Sequence, residues 1–183
     1  MDSEMGHYLR ATSTIEAEHE KIIETVTSVT RGCVSDEEKA VGLFYFVRDS
    51  IKYNIYMISV FIEDFKASRI LEWGKAYCVQ KAVLLTALGR AAGIPSRLVF
   101  AKIRNHRIPN GLPTVEFDGK RDAILPEKDL KGAPYIEYIE KFPPKEDLPF
   151  DWIKERISQF VGTDKRPWLN RAQERSMTRA SQG

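Results

Sequence analysis

The chain has 183 residues, enough for one domain with a hydrophobic core of its own, and nothing in its composition is low-complexity. Its formal net charge of +2 is well below the basic excess typical of nucleic-acid binders, so nucleic-acid binding is not expected. Two cysteines and three scattered histidines suggest neither a disulfide framework nor a metal site, so we expect no metal or cofactor. The sequence shows no signal-peptide pattern and no apolar run of membrane-spanning length, so we expect a cytoplasmic protein.

Two helices are predicted in the first 50 residues. The run Ser13-Thr14-Ile15-Glu16 has capping-box spacing, which predicts a helix that starts there and ends at Gly32. Ser35 begins a similar run, Ser35-Asp36-Glu37-Glu38, ahead of a second apolar stripe. His19 falls on or near the apolar face of the first helix, where a structural role is favoured over a catalytic one.

A buried helix is predicted in the middle of the chain. Residues 54–66 have no clean periodicity and are predicted to be extended or irregular, followed by a short helix over residues 67–73 that Gly74 ends. Residues 76–95 are apolar on nearly every side, which is typical of a helix that neighbours surround completely. Gly93 and Pro95 suit its end.

The second half of the chain contains both strands and helices. Strands are predicted over residues 96–103 and 115–120, and helices over residues 134–141 and 151–161. The order of elements predicts an α+β fold. We expect a single domain over residues 1–162 and a basic C-terminal tail over residues 163–183.

Cys78 lies at the first turn of the predicted buried helix. Unpaired amides and the helix dipole stabilise an anion at this position, which predicts a lowered thiol pKa and a nucleophilic thiolate. The same amides could hold an oxyanion during acyl transfer. The alternative is a small buried hydrophobic residue, as most free cysteines are.

The sequence around Cys78 resembles a known family. The pattern Cys78-x-x-x-Ala82 followed by Leu84-Leu85-x-Ala87-Leu88-x-Arg90-Ala91-Ala92-Gly93-Ile94-Pro95-x-Arg97-Leu98-Val99 resembles the nucleophile helix and first core strand of the transglutaminase-like superfamily. The upstream pattern Lys39-Ala40-x-x-Leu43-Phe44-x-Phe46-Val47-Arg48-Asp49-x-Ile51-x-Tyr53 resembles the helix before that core. The resemblance implies a papain-type fold in which the Cys helix packs on a small antiparallel sheet. It also implies a Cys-His-Asp triad, with Cys78 attacking an amide or ester carbonyl of a peptide or protein; some family members are inactive.

The histidine and aspartate of that triad have one candidate each. His106 is the only histidine after Cys78, and Asp122 comes later, beyond the Asp118-Gly119 turn, so Cys78, His106 and Asp122 are the candidate catalytic residues. However, Arg104-Asn105-His106 resembles the end of the first core strand in a bacterial and archaeal branch of the family, and residues 112–123 resemble the segment after the aspartate strand of that branch. Three explanations are open: the chain lacks the usual His and Asp strands, His106 and Asp122 serve as the catalytic His and Asp in their place, or an internal segment is missing from this sequence. If His106 and Asp122 are not catalytic, His106 is a capping or surface histidine and Asp122 is a solvated turn carboxylate.

Two aromatic residues near Cys78 are candidate substrate-binding residues. Trp73 resembles the aromatic approach wall of related sites and Tyr77 could line the acyl site, although core packing explains either equally well. Lys81 could favour the thiolate or be a solvated helix residue. The function expected is thiol-dependent acyl transfer or amide or peptide hydrolysis through Cys78. The alternative is a catalytically impaired domain of the same family that binds a peptide or protein.

Overall fold

The computed structural model describes residues 5–105 and 136–161. These residues form five α-helices, α1 (Glu20–Val29), α2 (Asp36–Ser50), α3 (Ala67–Trp73), α4 (Cys78–Ala91) and α5 (Phe150–Val161). They also form four strands, β1 (Lys52–Tyr53), β2 (Lys75–Ala76), β3 (Ala101–Asn105) and β4 (Ile136–Lys141), and three short 3₁₀ turns, Gly6–Leu9, Ile55–Met57 and Ile62–Phe65. Helices combined with small sheets confirm the predicted α+β class.

Helix α4 lies at the centre of the core. It packs against α1, α2 and α3, and it follows β2 directly. Its buried residues include Val83, Leu84, Ala87 and Leu88. At Gly89 a Cβ atom would come within 2.4 Å of the Ser96 hydroxyl, so the glycine allows the chain beyond the helix to approach closely. The prediction of a helix surrounded by neighbours is confirmed.

The start of α1 differs from the prediction. The helix begins at Glu20, and the His19 side chain caps it by accepting a hydrogen bond from the Lys21 amide through Nδ1. The predicted capping residues have distant partners instead. Ser13 donates to Asp147 across the fold at 3.5 Å, and Glu16 accepts from the amide and hydroxyl of Ser68. Thr14, next to Ser13, donates to the same carboxylate at 2.5 Å. Long-range partners therefore use the polar groups that a capping box would have needed. His19 has the structural role that was favoured.

The start of α2 agrees with its local signal. The Ser35 hydroxyl accepts from the Glu38 amide at 3.2 Å, while the Glu38 carboxylate accepts from the Val34 amide at 2.7 Å. Three acidic residues occupy the first turn, where the helix dipole favours negative charge. The second predicted helix is confirmed.

The strands form two separate two-stranded ladders. β1 and β2 pair in parallel, with Tyr53 opposite Ala76, and β3 and β4 pair antiparallel. The predicted helix over residues 134–141 is wrong, because residues 136–141 form β4. These residues form a strand because their backbone pairs with β3, and that pairing cannot be seen in the local sequence. Residues 96–103 become regular strand only from Ala101, after an isolated bridge between Leu98 and Lys145.

Arg90 connects α4 to distant parts of the chain. Its guanidinium is almost completely buried and donates to the backbone carbonyls of Ser96, Arg10 and Glu146 at 2.9, 2.6 and 2.5 Å. The five donors of a guanidinium suit this geometry, which a single ammonium group cannot reproduce. One side chain thus joins the N-terminal segment, the turn after α4 and the loop before α5.

In the part of the chain that the structure describes, no helix has both the length and the apolarity that crossing a membrane requires.

Candidate functional site

Cys78 is presented by a sharp change of chain direction. α3 ends at Gly74, whose left-handed conformation (φ 59°) lets the chain turn into β2. Tyr77 is the N-cap of α4, and Cys78 is the first residue of the helix. Cys78 is exposed at the surface, although the rest of the helix is largely buried. The predicted position of the thiol at the helix start is therefore correct.

The N-cap side chain of α4 makes no hydrogen bond to the amides of the first turn. His19 and Ser35 cap α1 and α2, whereas the Tyr77 side chain makes no capping hydrogen bond. A tyrosine cannot fold back onto the first turn as a short polar side chain does. The amides of Cys78 and Val79 lie beside the thiol instead and favour its anionic form. They are available to a thiolate or to an oxyanion formed next to it.

Burial nevertheless raises the thiol pKa. Although Cys78 as a residue is exposed, protein atoms surround the sulfur closely enough for desolvation to raise the pKa above its ordinary value. The amides of Val79 and Cys78 offset this rise only in part. The lowered pKa predicted from the helix position is therefore not found, because the helix effect on the pKa is smaller than the cost of removing water.

Gln80 fixes the start of the helix. Its side chain is fully buried, its Nε2 donates to the backbone carbonyl of Asp64 at 2.8 Å, and its Oε1 accepts from the Tyr77 amide at 3.2 Å. Asp64 belongs to the 3₁₀ turn ahead of α3, and its carboxylate accepts from the Ser59 hydroxyl at 2.6 Å. A buried polar network therefore holds the turn that carries Cys78.

Lys81 has a different role from either predicted one. Its Nζ donates to the carbonyls of Arg48 and Ile51 at 3.1 and 2.7 Å, at the C-terminal end of α2. A cation is favourable there because the last carbonyls of a helix are unpaired and partly negative. Burial lowers the Lys81 pKa, and the Asp49 carboxylate opposes that change. Lys81 does not contribute to the pKa of Cys78 and instead joins α4 to α2.

Two tyrosines accompany the thiol. Tyr77 is buried with its ring edge-to-face against Phe65, and among the described residues its hydroxyl has no hydrogen-bond partner. Burial and the nearby Cys78 and Tyr53 charges raise the Tyr77 pKa far above its ordinary value, so the phenol stays neutral. Tyr53 is brought to the site by the β1–β2 ladder, and its pKa is raised by burial and by the Cys78 charge.

The sequence interpretation did not include Tyr53 in the site. Its only signal was its place at the end of the family-like pattern before the core, and the pairing of β1 with β2 could not be predicted from a two-residue strand. Trp73, the last residue of α3, packs partly against the core and has the Arg69 guanidinium 5.2 Å from its ring centroid. Its role in substrate binding, like that of Tyr77, stays a prediction.

The other triad candidates, His106 and Asp122, lie outside the described residues. Of the two described histidines, His7 lies 3.7 Å from the Glu146 carboxylate and His19 caps α1. Within the described ranges, no imidazole contributes to the thiol pKa. Nor do residues 5–105 and 136–161 contain a group of three or more histidine, cysteine or acidic side chains that could hold a metal ion.

Comparison with known proteins gives one family. The model of the transglutaminase-like superfamily matches residues 23–125, more than half of the chain, and this match confirms the resemblance in the sequence. The matched region contains Cys78 and extends through the positions of His106 and Asp122. No curated protein and no solved structure matches the chain significantly.

Proposed function

The chain belongs to the transglutaminase-like superfamily, and from that premise we propose that it is a thiol-dependent enzyme with Cys78 as its nucleophile. Members of this superfamily typically carry out cysteine-based acyl transfer or hydrolysis. The substrate proposed is a peptide or protein amide. Because the chemistry needs a reduced thiol, we propose a cytoplasmic setting, where thiols are kept reduced.

The observation that carries this proposal is the surface position of Cys78 at the start of a helix whose N-cap side chain makes no capping hydrogen bond. An attacking sulfur must be reachable, and the oxyanion that forms needs donors that other groups do not already use. Cys78 lies at the surface, and the amides of Cys78 and Val79 lie beside its sulfur at the start of α4. Gln80 holds this turn in place from the buried side.

The proposed reaction has two halves. The Cys78 thiolate attacks the acyl carbonyl carbon, the C–S bond forms, and the C–N bond breaks as the leaving amine takes up a proton. Water or a second amine then gives a proton to the base and attacks the thioester. The C–S bond breaks, the acyl group leaves as an acid or a new amide, and Cys78 returns to the thiolate. Both halves pass through an oxyanion that the amides at the start of α4 would stabilise.

His106 and Asp122 are the proposed partners of Cys78. The raised thiol pKa means that the described surroundings alone leave little thiolate near neutral pH, so a base is needed. We propose that His106 accepts the thiol proton and donates it to the leaving amine, and that Asp122 orients the imidazole.

A second candidate function is binding without catalysis. The raised thiol pKa favours it, because a thiol surrounded only by the described residues would react slowly. In that case the domain keeps the fold and binds a peptide or protein at the same surface.

The two candidates differ in how Cys78 reacts. The test compares Cys78 labelling by iodoacetamide and by p-nitrophenyl acetate across pH, with modified residues identified by mass spectrometry. Cys78→Ala removes the proposed site, and Cys33→Ser is the matched control, because Cys33 is the other free cysteine of the described residues. An active enzyme is labelled rapidly at Cys78 near neutral pH, and Cys33→Ser does not change that rate.

The triad is tested by His106→Ala and Asp122→Ala. If both partners act, His106→Ala moves the pH dependence of labelling upward to that of an isolated thiol, and Asp122→Ala moves it less far. Labelling of the unaltered chain that matches an isolated thiol at every pH, with no acylation above the Cys78→Ala background, would reject the enzyme and favour the binding domain.

A further inference from the structure

Three large side chains at and just after the end of β1 are exposed to solvent. Tyr53, Ile55 and Tyr56 are 54, 48 and 57 % exposed and fall within four consecutive positions. Single exposed hydrophobic residues are normal on protein surfaces, but a cluster of them beside a reactive group is typical of a binding site. We define these three residues as the apolar turn.

The backbone holds the apolar turn beside Cys78. Tyr53 is the ladder partner of Ala76, and the Asn54 amide donates to the Ala76 carbonyl at 2.9 Å, two residues before Cys78. Burial and, to a smaller extent, the Cys78 charge raise the pKa of Tyr53 above its ordinary value.

The turn is also rigidly built. The Asn54 side chain accepts from the Tyr56 amide at 3.0 Å, and Met57 is fully buried at the end of the 3₁₀ turn. Ile55 and Tyr56 are therefore held outward while their neighbour is fixed in the core. A preformed apolar surface binds a side chain at a smaller entropic cost than a mobile one.

The chemistry of the turn indicates its occupant. The group attached to the carbonyl that Cys78 attacks must lie close to the sulfur, and the turn offers two aromatic rings and one branched aliphatic side chain. None of the three side chains is a carboxylate, an ammonium or a guanidinium. An aromatic or large aliphatic group fits this surface better than a charged one.

We propose that the apolar turn is the acyl-donor subsite, and that it gives the enzyme a preference for aromatic or large apolar acyl groups. The proposal rests on the function proposed for Cys78 and adds the substrate class. Tyr53, whose backbone pairs with Ala76 two residues before Cys78, contributes most to the preference.

The experiment compares two esters that share a leaving group. The rate at which p-nitrophenyl acetate acylates Cys78 is divided by the rate at which it acylates glutathione, and the same is done for p-nitrophenyl 3-phenylpropanoate. The ratio of the second normalised rate to the first measures the preference. We expect this ratio to be about ten, as partial burial of one ring would give. Tyr53→Ala and, independently, Ile55→Ala lower this ratio towards one. Tyr138→Ala is the matched control, since Tyr138 is 59 % exposed on the other ladder, and it leaves the ratio unchanged.

The outcomes separate the two proposals. If the unaltered chain is acylated by both esters without preference, or if neither Tyr53→Ala nor Ile55→Ala changes the ratio, the subsite is rejected while the nucleophile stands. If neither ester acylates Cys78, the proposed enzyme function is rejected and the subsite with it. Circular dichroism of each variant excludes loss of fold as the cause of a changed ratio.

Discussion

The Gln80 side chain donates to the backbone carbonyl of Asp64 at 2.8 Å, and this bond attaches the first turn of α4 to the 3₁₀ turn before α3. The other end of the same amide accepts from Tyr77 at 3.2 Å. Because donor and acceptor are both used, the amide has one satisfied orientation. The position of the proposed nucleophile is therefore determined by a residue that does not need to contact substrate.

Replacement of Gln80 by leucine is expected to destabilise the protein by about 2–4 kcal/mol, because it leaves a buried carbonyl and a buried amide without partners. The free energy of unfolding from urea titration gives this value. A loss below about 0.5 kcal/mol would mean that the two bonds are not formed in solution.

Gln80→Glu should give a pH-dependent loss of stability. Burial and the Asp64 carbonyl favour a protonated Glu at position 80, so its pKa in the folded state is raised above about 4.3, the ordinary value. Stability is then greatest below that ordinary pKa and falls as the pH rises through the folded-state pKa. The difference in unfolding free energy between Gln80→Glu and the unaltered chain should grow from about pH 5 to about pH 8; a constant difference would contradict the buried site.

Arg90→Ala should be among the most destabilising substitutions, at about 3–5 kcal/mol, because three carbonyls lose their donor and a buried space opens. Arg90→Lys should recover only part of this loss, since one ammonium cannot reach all three. Arg97→Ala is the control, because Arg97 is exposed and its guanidinium lies 5.8 Å from the centroid of the Tyr8 ring. It should cost less than about 1 kcal/mol. Equal thermal unfolding midpoints for Arg90→Ala and Arg97→Ala would contradict the role of Arg90.

The Cys78 thiol should make the protein less stable at alkaline pH. Burial raises its folded-state pKa, so the folded state holds the proton more tightly than the unfolded chain. Its contribution to stability is present below the unfolded-state pKa and is lost as the pH rises through the folded-state pKa. Between about pH 8 and about pH 10 the unaltered chain should lose more stability than Cys78→Ser. Parallel stability curves would mean that other residues cancel the burial effect, as a paired imidazole would.

Tyr77→Phe should keep or raise stability, by up to about 1 kcal/mol, since the Tyr77 hydroxyl is buried without a partner among the described residues. Tyr53→Phe, a change at an exposed tyrosine, should leave the unfolding midpoint unchanged. If Tyr77→Phe lowers the unfolding free energy by about 1 kcal/mol or more, the hydroxyl has a partner beyond the described residues.

The helices that the sequence predicted best have local start and stop signals. Ser35 caps α2 as expected, Gly74 ends α3 and Gly93 follows α4 with a positive φ. The start of α1 and the whole of β4 were missed because they depend on distant partners: Asp147 for Ser13, Ser68 for Glu16, and β3 for β4. Such pairings leave no periodic trace in the segment itself.

Within the candidate site, too, the features set by local sequence could be predicted and those set by distant residues could not. The place of Cys78 on its helix could be predicted from the apolar run and the residues that end it. The direction of its pKa change could not, because desolvation depends on side chains packed from elsewhere. Two further features were missed for a related reason. Tyr53 is placed by the pairing of two two-residue strands, and the hydrogen bonds of Lys81 depend on carbonyls at the end of α2.

The antiparallel pairing of β3 and β4 has a consequence for how this gene can change. Asn105 and Ile136 are register partners, so two residues that are far apart in the sequence lie side by side at the end of the ladder. A change in chain length between them keeps the β3–β4 ladder only if it leaves these two residues as partners.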